Sequence, residues 1–329
     1  MTRARGRWKA WGRYCLLALL VLGVALWATV TQPMLSSSSA ASSTPVDPAR
    51  LEAHVRMLAE TLAPRDYAHP ENLDRVAAYV RAAFEKTGGR LSEQVYEVAG
   101  RHYRNVIASY GPESGERIVV GAHYDTCQPL PGADDNASGV AGLIELAQLI
   151  GRRAPSLRTD LVAFTLEEPP FFRTSYMGSR KHAAQLRADD VKLRGMISLE
   201  MIGYFSDEPG SQHFPSSLLE LFYPTVGNYV AVVGRVGGGG IVRRVKRAMR
   251  GASSLPVYSL NGPRFVPGID FSDHASYWDE GYAAAMVTDT AFFRNLAYHT
   301  PEDTADRLDY RRMALVVQGV YAAVLALAE

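Results

Sequence analysis

The stretch from Gly121 to Gly139 reads Gly-Ala-His-Tyr-Asp-Thr-Cys-Gln-Pro-Leu-Pro-Gly-Ala-Asp-Asp-Asn-Ala-Ser-Gly, and it joins a predicted strand to a predicted helix. The apolar run at 117–122 predicts a buried strand, and apolar residues at helical spacing over 137–150 predict the helix. The polar loop between them therefore lies at the carboxyl end of a strand, where open α/β sheets bind their ligands.

Three side chains of this loop are candidates for metal chemistry. His123 and Asp125 are two positions apart, so on a straight strand both would point to the same side. A carboxylate at Asp125 can hold one imidazole nitrogen and leave the other nitrogen for a metal. Asp135 supplies further oxygens just before the helix. The loop alone also fits a second interpretation, in which its Asp, Asn and Ser residues serve as turn and N-cap residues.

Length and composition are those of a globular protein with a substantial core. The chain has 329 residues, of which 47% are hydrophobic and 21% are charged. A formal net charge of +1 gives no electrostatic reason to expect a nucleic-acid partner. Cys15 and Cys127 are the two cysteines and form no Cys-x-x-Cys site, so any metal must be held by histidine and carboxylate. The sequence leaves the oligomeric state open.

The N-terminal region predicts membrane targeting. Residues 1–13 form a basic flank, and residues 14–31 form an apolar run of about the minimum length for a spanning helix. We expect an uncleaved anchor, with the flank in the cytoplasm and the remaining chain in the periplasm or outside the cell. A cleaved signal sequence followed by secretion is the alternative. Residues 32–45 form a Ser-rich flexible linker, and one catalytic domain is expected over 46–329.

Helical and strand patterns alternate along the predicted domain, which favours α/β layers around one mixed sheet. Helices are predicted at 47–62, 70–86, 137–150, 177–186, 241–249 and 310–328. Strands are predicted at 91–98, 105–110, 117–122, 160–168, 193–203, 229–236 and 283–288. In the helix at 241–249, Lys246 and Arg247 belong, with Arg250, to a predicted solvated face.

Metal-type ligands lie at the ends of successive predicted strands, and one edge of a sheet would bring them together. They are His123, Asp135, Glu167, Glu168 and Glu200, and His299 follows the last predicted strand. Five segments contain them in order: Gly121-Ala-His-Tyr-Asp, Gly132-Ala-Asp-Asp-Asn-Ala-Ser-Gly, Leu166-Glu-Glu, Leu199-Glu-Met-Ile-Gly and Tyr298-His-Thr-Pro-Glu-Asp-Thr.

These five segments resemble those of the co-catalytic zinc aminopeptidase and glutamate carboxypeptidase family, to which the glutaminyl cyclases are related. The resemblance extends from about residue 47 to the C-terminus. It implies a three-layer α/β sandwich with a central mixed, mostly parallel sheet, preceded here by the N-terminal membrane-targeting helix. It also implies a peptide substrate and two Zn²⁺ ions as cofactors.

The resemblance assigns the metal ligands residue by residue. His123 and Glu200 would bind one zinc ion, and Glu168 and His299 would bind the other. Asp135 would bridge the two ions. Glu200 stands where the family more often has an aspartate, which changes the reach of the ligand and not its type.

Other residues receive catalytic or supporting roles from the same resemblance. Asp125 would orient His123, Glu167 would act as the general base, and Tyr298 would stabilise the oxyanion. The alternative for Tyr298 is a packed aromatic side chain. As neighbours along a strand, Glu167 and Glu168 would point to opposite faces and so divide their roles. Asp273 and His274 match a family segment near the substrate; the alternative is that the segment only caps the helix that begins there.

One segment departs from the family pattern. Pro169–Ser179 replaces a shorter Gly-Leu-x-Gly-Ser segment and contains two prolines and two phenylalanines. We expect it either to form an apolar wall of a side-chain pocket or to be a packed surface loop.

The expected activity is that of a zinc exopeptidase, and of an aminopeptidase before a carboxypeptidase. A carboxypeptidase needs a cation for the terminal carboxylate, which Arg173, Arg264 or Arg294 could supply. Two alternatives remain open at this point: a glutaminyl cyclase-like acyltransferase with one zinc ion, and a non-catalytic ectodomain of the same fold.

Overall fold

The computed structural model describes residues 2–34, 45–238 and 240–329, with side chains from residue 14 onward. Most of the predicted linker, residues 35–44, lies outside the described residues. The helices are α1 Thr2–Thr31, α2 Pro48–Arg56, α3 Pro70–Glu85, α4 Gly139–Arg152, α5 Gly178–Ala188, α6 Ile241–Ala252, α7 His274–Asp279 and α8 Tyr310–Ala328. The strands are β1 Arg90–Val98, β2 Arg101–Tyr110, β3 Arg117–His123, β4 Arg158–Phe164, β5 Leu193–Glu200, β6 Val230–Arg235, β7 Val257–Gly262 and β8 Ala284–Thr288.

The strands form one eight-stranded sheet in the order β1-β2-β4-β3-β5-β8-β6-β7. The pairs β3–β4, β3–β5, β5–β8 and β6–β7 are parallel, whereas β1–β2, β2–β4 and β6–β8 are antiparallel. The prediction of a mixed, mostly parallel sheet is confirmed. Because β3, β4 and β5 are adjacent and parallel, their carboxyl ends share one edge of the sheet.

Helices cover both faces of the sheet, which gives the predicted three layers. One buried cluster joins one face to α2, α3, α4, α6 and α8. A second cluster joins the other face to α5 and α7. The alternation within β3 shows why both layers are needed, because Ile118 and Val120 belong to the first cluster and Val119 belongs to the second.

Two strand boundaries differ from the prediction at positions that matter for the site. β4 ends at Phe164, so Glu167 and Glu168 lie in the turn after the strand and not within it. The backbone of Leu166 has a φ of +58°, which the regular strand geometry excludes. The argument that the two glutamates alternate as strand neighbours is therefore wrong. β5 likewise ends at Glu200, and Met201 follows with a φ of +47°.

One whole strand was not predicted. β7, Val257–Gly262, pairs with β6 and forms the edge of the sheet. Its polar residues Ser259 and Asn261 interrupt the apolar pattern, yet both are buried. The predicted helices lie closer to the observed ones. At the start of α2, Asp47 is the N-cap and accepts a hydrogen bond from the backbone N–H of Ala49.

Two helices in the described part of the chain are long and apolar enough to cross a membrane. The first is Tyr14–Thr31, the apolar part of α1, whose leucines are exposed. The second is α8, but it packs against α4 and α6 and is largely buried inside the domain. α8 is therefore a core helix, whereas α1 projects from the domain and touches it at β7.

Candidate metal centre

One set of metal-type ligands surrounds His123 at the end of β3. Its imidazole is 1% exposed, and its Nε2 lies 3.4 Å from Asp135 Oδ1 and 3.4 Å from Glu200 Oε2. Glu200 is the last residue of β5, which is the strand beside β3. Parallel pairing of these two strands thus brings together side chains that are far apart in the sequence.

A second set surrounds His299. Its Nε2 lies 3.0 Å from Asp135 Oδ2 and 3.2 Å from Glu168 Oε1. The two oxygens of Asp135 therefore face two different imidazoles. All five side chains that the resemblance assigned to metal binding meet at one edge of the sheet.

The ionisation of these side chains tests whether they fit divalent cations. Burial raises the pKa of Glu167 well above its usual range, and neighbouring Glu168 and Glu200 raise it further. Burial and Asp135 raise the pKa of Glu168 to about 8. Carboxylates that are buried together without enough positive charge are costly to ionise. Two divalent cations would supply that charge, and a set of imidazole and carboxylate donors suits zinc.

Cys127 is also close to the second set, since its sulfur lies within 4.8 Å of ligand atoms of Glu168 and His299. Burial and the nearby carboxylates raise the pKa of its thiol to about 12.

Asp125 connects the two sets through the backbone. Its two carboxylate oxygens accept hydrogen bonds from the N–H groups of Glu167 and Glu168, at 3.1 and 3.0 Å. Its Oδ1 is 3.6 Å from His123 Nδ1, and its backbone oxygen is 3.2 Å from the same nitrogen. The predicted contact with His123 is present, but the shorter hydrogen bonds of Asp125 are those to the backbone of Glu167 and Glu168. They fix the turn that carries both glutamates.

Asp303 fixes the bridging residue and was not assigned a role from the sequence. Its carboxylate accepts hydrogen bonds from the backbone N–H groups of Asp134 and Asp135, each at 3.0 Å. It belongs to the segment Tyr298-His-Thr-Pro-Glu-Asp-Thr that also supplies His299. The one sequence signal for Asp303 is therefore its place in the same segment as His299.

Two further side chains hold the loop between β3 and α4 in place. Asn136 accepts hydrogen bonds from the backbone N–H groups of Gly139 and Met201 and donates one to the carbonyl oxygen of Leu199. Arg65 is fully buried, and its guanidinium donates to four backbone carbonyl oxygens, three of which belong to residues 124–132. Nothing in the sequence around Arg65 indicates this role.

The segment 272–274 touches the site through a different residue than expected. Ser272 Oγ donates a 2.7 Å hydrogen bond to Glu200 Oε2. Asp273 is fully buried, and burial raises its pKa to about 7. The Nε2 atom of His274 lies 2.8 Å from the carbonyl oxygen of Ile269, and its ring packs on Trp278. Helix α7 has no side-chain N-cap hydrogen bond, so the capping alternative is wrong.

Tyr298 lies beside the second set. Its ring stacks on the imidazole of His299, with 3.7 Å between the ring centroids. Burial and four nearby carboxylates raise the pKa of the phenol, which therefore keeps its proton and can donate a hydrogen bond.

An apolar cavity opens next to the ligands. The space between its walls, including the open solvent at its mouth, is about 820 Å³, and Glu200 and Tyr298 are among its lining residues. Its apolar walls include Tyr229, Leu260, Phe271, Met286 and Phe293. The lining comes from residues 200–298, so Pro169–Ser179 does not form the wall directly. Phe172 of that segment instead packs edge to face on Phe271 from behind.

The three arginines that could serve a carboxypeptidase all have partners within the domain, and the side chains of Arg173 and Arg264 are half-exposed. Arg173 and Arg264 both pair with Asp270. Arg294 is 3% exposed, donates to Gln212 and the carbonyl oxygen of Tyr204, and lies over the ring of Tyr229.

The fold and the converging histidine and carboxylate ligands define a metallopeptidase of the zinc-exopeptidase type. The sequence profile of Peptidase family M28 matches residues 105–324. The chain therefore belongs to Peptidase family M28.

Relatives of this chain include an uncharacterised protein and leucine aminopeptidases. The uncharacterised protein YfbL of Escherichia coli is 49% identical over 292 residues, which cover 86% of this chain and 90% of YfbL. Leucine aminopeptidase 1 of Ajellomyces capsulatus is 25% identical over 224 residues, which cover 64% of this chain and 52% of that protein. The chain thus spans about half the length of the leucine aminopeptidases that it matches.

Solved structures of two kinds share the fold. The Legionella pneumophila LapA aminopeptidase superposes with a TM-score of 0.68 at 19% identity, covering 86% of this chain and 72% of LapA. A glutaminyl cyclase of Bacteroides thetaiotaomicron superposes with a TM-score of 0.62 at 20% identity, covering 85% of this chain and 97% of the cyclase.

Proposed function

We propose that this protein is a di-zinc aminopeptidase that removes apolar N-terminal residues from peptides. The observation that carries the proposal is the position of Asp135, whose two oxygens lie 3.4 Å from His123 Nε2 and 3.0 Å from His299 Nε2. One carboxylate between two imidazole–carboxylate sets is what a bridging ligand requires. A centre with a single ion would leave one of these sets without a metal.

The ligand sets divide between the two ions. His123, Asp135 and Glu200 would hold one zinc ion, and His299, Asp135 and Glu168 would hold the other. Bound zinc supplies two effects, a lower pKa for water and polarisation of the scissile carbonyl.

Glu167 is proposed as the general base. Its carboxylate is buried, lies 4.0 Å from His123 Nε2, and has a raised pKa because of burial. A carboxylate with a raised pKa is a stronger base, so it can take a proton from the attacking water and return it to the leaving amine. Asp125 holds the backbone N–H of Glu167 and so positions this base.

Tyr298 is proposed to stabilise the oxyanion. Its phenol is protonated, and the stacking on His299 fixes the ring beside the second ligand set. A fixed donor of this kind can bind the negative charge that develops on the carbonyl oxygen. Asp273 and His274 are proposed only to support the site from behind Ser272, which bonds Glu200.

The apolar cavity supports an exopeptidase that accepts an apolar side chain, and the arginines favour an aminopeptidase over a carboxypeptidase. Glu200 and Tyr298 stand at its metal end, so an apolar side chain in the cavity would place the adjoining peptide bond at the ligands. Arg173, Arg264 and Arg294 are engaged with internal partners, which argues against a site for a terminal carboxylate. The names of the leucine aminopeptidase relatives agree with this preference.

We further propose that α1 anchors the enzyme in a membrane. Its apolar part, Tyr14–Thr31, is exposed from residue 14 to residue 27, as a lipid-facing helix would be. The basic flank at residues 1–13 would remain in the cytoplasm, which would place the peptidase domain in the periplasm or outside the cell.

The proposal is tested on the full chain purified in detergent. Zinc content is measured together with hydrolysis of leucyl and alanyl anilides by the wild type, by Glu167→Gln and by Glu113→Gln, whose side chain is exposed and distant. We expect two zinc ions per chain in all three proteins and loss of hydrolysis in Glu167→Gln alone.

The other outcomes separate the alternatives. One zinc ion per chain with conversion of N-terminal glutamine peptides to pyroglutamyl peptides would identify a glutaminyl cyclase-like enzyme, as the structural similarity to cyclases suggests. A folded protein that binds zinc but acts on neither substrate would identify a non-catalytic ectodomain.

A further inference from the structure

Three buried polar side chains of the domain hold the end of α1. Lys246 Nζ donates to the carbonyl oxygens of Thr31 and Gln32, at 2.8 and 3.1 Å. Ser259 Oγ donates to the carbonyl oxygen of Thr31 at 2.8 Å. The side-chain amide of Asn261 donates to the carbonyl oxygens of Thr29 and Val30, at 3.3 and 3.4 Å. We call Lys246, Ser259 and Asn261 the clamp.

The clamp matches the chemistry of a helix end. The last carbonyl groups of a helix lack donors within the helix and carry its partial negative charge. The ammonium of Lys246 is 4% exposed, and no carboxylate in the described part of the chain pairs with it. The carbonyl groups of α1 and the hydroxyl of Ser259 are its hydrogen-bond partners. Lys246 is thus buried against the helix end, which corrects the predicted solvated position.

The clamp also fixes the orientation of α1 relative to the substrate cavity. Ser259 and Asn261 of β7 hydrogen-bond α1, and Tyr258, Ser259 and Leu260 of the same strand line the apolar cavity. The same edge strand therefore serves both features. Backbone pairing with β6 holds β7 in the sheet, so the end of α1 and the cavity wall keep a fixed position relative to one another.

Exposed apolar side chains lie beside the point where α1 leaves the domain. Leu218, Leu221 and Phe222 are 61%, 74% and 45% exposed, and they belong to a short turn of helix and the residue after it. Phe222 lines a groove of about 690 Å³ together with Trp27 of α1 and Arg250 of α6. We call Trp27, Leu218, Leu221, Phe222 and Arg250 the exit face.

We propose that the exit face rests on the lipid bilayer that α1 enters, and that the clamp holds it there. The inference rests on the proposed insertion of α1. Trp and Arg side chains favour the level of the lipid headgroups, and exposed leucine and phenylalanine are stabilised when they enter the region below it. Phe222 shares a groove with Trp27 of α1, so the bilayer that α1 enters would also meet the exit face, and this makes a lipid surface the occupant. The domain would then lie on the membrane and not hang from a flexible tether.

The position of the exit face can be measured in the full chain. The protein, with Cys15→Ala and Cys127→Ser, is reconstituted into phosphatidylcholine vesicles that contain a lipid with a nitroxide near the headgroup. A fluorescent label is attached at Leu221→Cys, at Leu20→Cys within α1, or at Val95→Cys. Val95 is 51% exposed on β1, at the opposite edge of the sheet, and serves as the matched control.

We expect several-fold stronger quenching at position 221 than at position 95. Protection of a label at position 20 from an aqueous quencher reports insertion of α1 separately. If position 20 is protected and position 221 is quenched no more than position 95, the exit-face proposal is overturned and the anchor stands. If position 20 is open to the aqueous quencher, the anchor fails and this inference fails with it.

The clamp is tested by Lys246→Met, which keeps the chain length and removes the donor. Its control is Arg247→Met, because Arg247 is the exposed neighbour on α6. We expect Lys246→Met to lose most of the quenching at position 221 while position 20 stays protected, and Arg247→Met to behave as wild type. Asn261→Ala provides a second variant if Lys246→Met does not fold. Wild-type quenching in a folded clamp variant would overturn the role of the clamp.

Discussion

Strands β3, β4 and β5 end beside charged side chains, whereas β6 and β7, beyond β8, line an apolar cavity. On the first side three of the five ligands lie at or just after a strand end: His123 and Glu200 are the last residues of β3 and β5, and Glu168 lies four residues after β4. On the second side the walls come from side chains within strands and from loops far along the chain, such as Phe293. Reactive groups are therefore encoded in short segments, while pocket shape and the attachment of α1 depend on distant contacts.

The largest effect that would test the first side comes from Asp135→Ala. This substitution removes a ligand from both sets at once, so we expect loss of both zinc ions and loss of peptidase activity to background. His299→Ala, which removes a ligand from only one set, should keep one zinc ion. Zinc content of both purified variants is the measurement. Equal zinc loss in the two variants would show that Asp135 does not bridge.

A smaller effect is expected from Asp303→Asn. The amide retains only one acceptor oxygen, so one of the two bonds to the backbone N–H groups of Asp134 and Asp135 is lost. Removal of such a supporting carboxylate lowers metal affinity by about 10- to 100-fold. Zinc affinity measured by competition with a chelator checks this. The exposed neighbour variant Glu302→Gln should bind zinc as the wild type does, and an unchanged affinity in Asp303→Asn would remove Asp303 from the site.

The difference between the two sides also explains how far sequence reasoning reached. The ligands could be found because each occupies a short segment next to a strand with a clear apolar pattern, as His123 and Glu200 do. The turn at Leu166 could not be found, because its left-handed backbone is held by the carboxylate of Asp125, more than forty residues away in the sequence.

The second side was harder to predict for a related reason. Ser259 and Asn261 interrupt the apolar pattern that would predict β7 as a buried strand. Their hydrogen-bond partners are carbonyl groups of α1, more than two hundred residues earlier in the sequence. A buried polar residue has a visible reason only once its distant partner is known. The burial of Arg65 and Lys246 could not be predicted for the same reason. Each donates hydrogen bonds to backbone carbonyl groups that are distant in the sequence, and no local pattern identifies these acceptors.

His182, on the helix α5, is a buried histidine that faces a tyrosine hydroxyl group. It is 5% exposed on α5, and its Nδ1 lies 2.6 Å from the hydroxyl of Tyr277. Burial lowers its pKa from 6.5 to about 4. On acidification the unfolded chain takes up this proton first, so stability falls as pH drops from 6.5 toward 4. Between pH 7 and pH 5 the loss is about 2 kcal/mol.

The measurement is the free energy of unfolding by denaturant at these two pH values. His182→Gln should lose about 2 kcal/mol less than the wild type over this range, because glutamine does not titrate. The exposed His102→Gln should keep the wild-type dependence on pH. An identical dependence in His182→Gln would mean that the side chain is protonated in the folded protein.

The smallest expected effect concerns the apolar side and would show whether its shape selects substrates. Ala231 of β6 lines the cavity, and a leucine at this position would occupy part of the space for a large side chain. We expect Ala231→Leu to lower kcat/KM for leucyl and phenylalanyl anilides by about tenfold, the usual scale for a change of this size in an apolar pocket. Hydrolysis of the alanyl anilide should change little, since a methyl group does not reach the filled region. Val236→Leu, at an exposed position just after β6, is the control. An equal loss for all three substrates would indicate that Ala231→Leu disturbs the zinc ligands through β8, and the cavity would then have no part in side-chain selection.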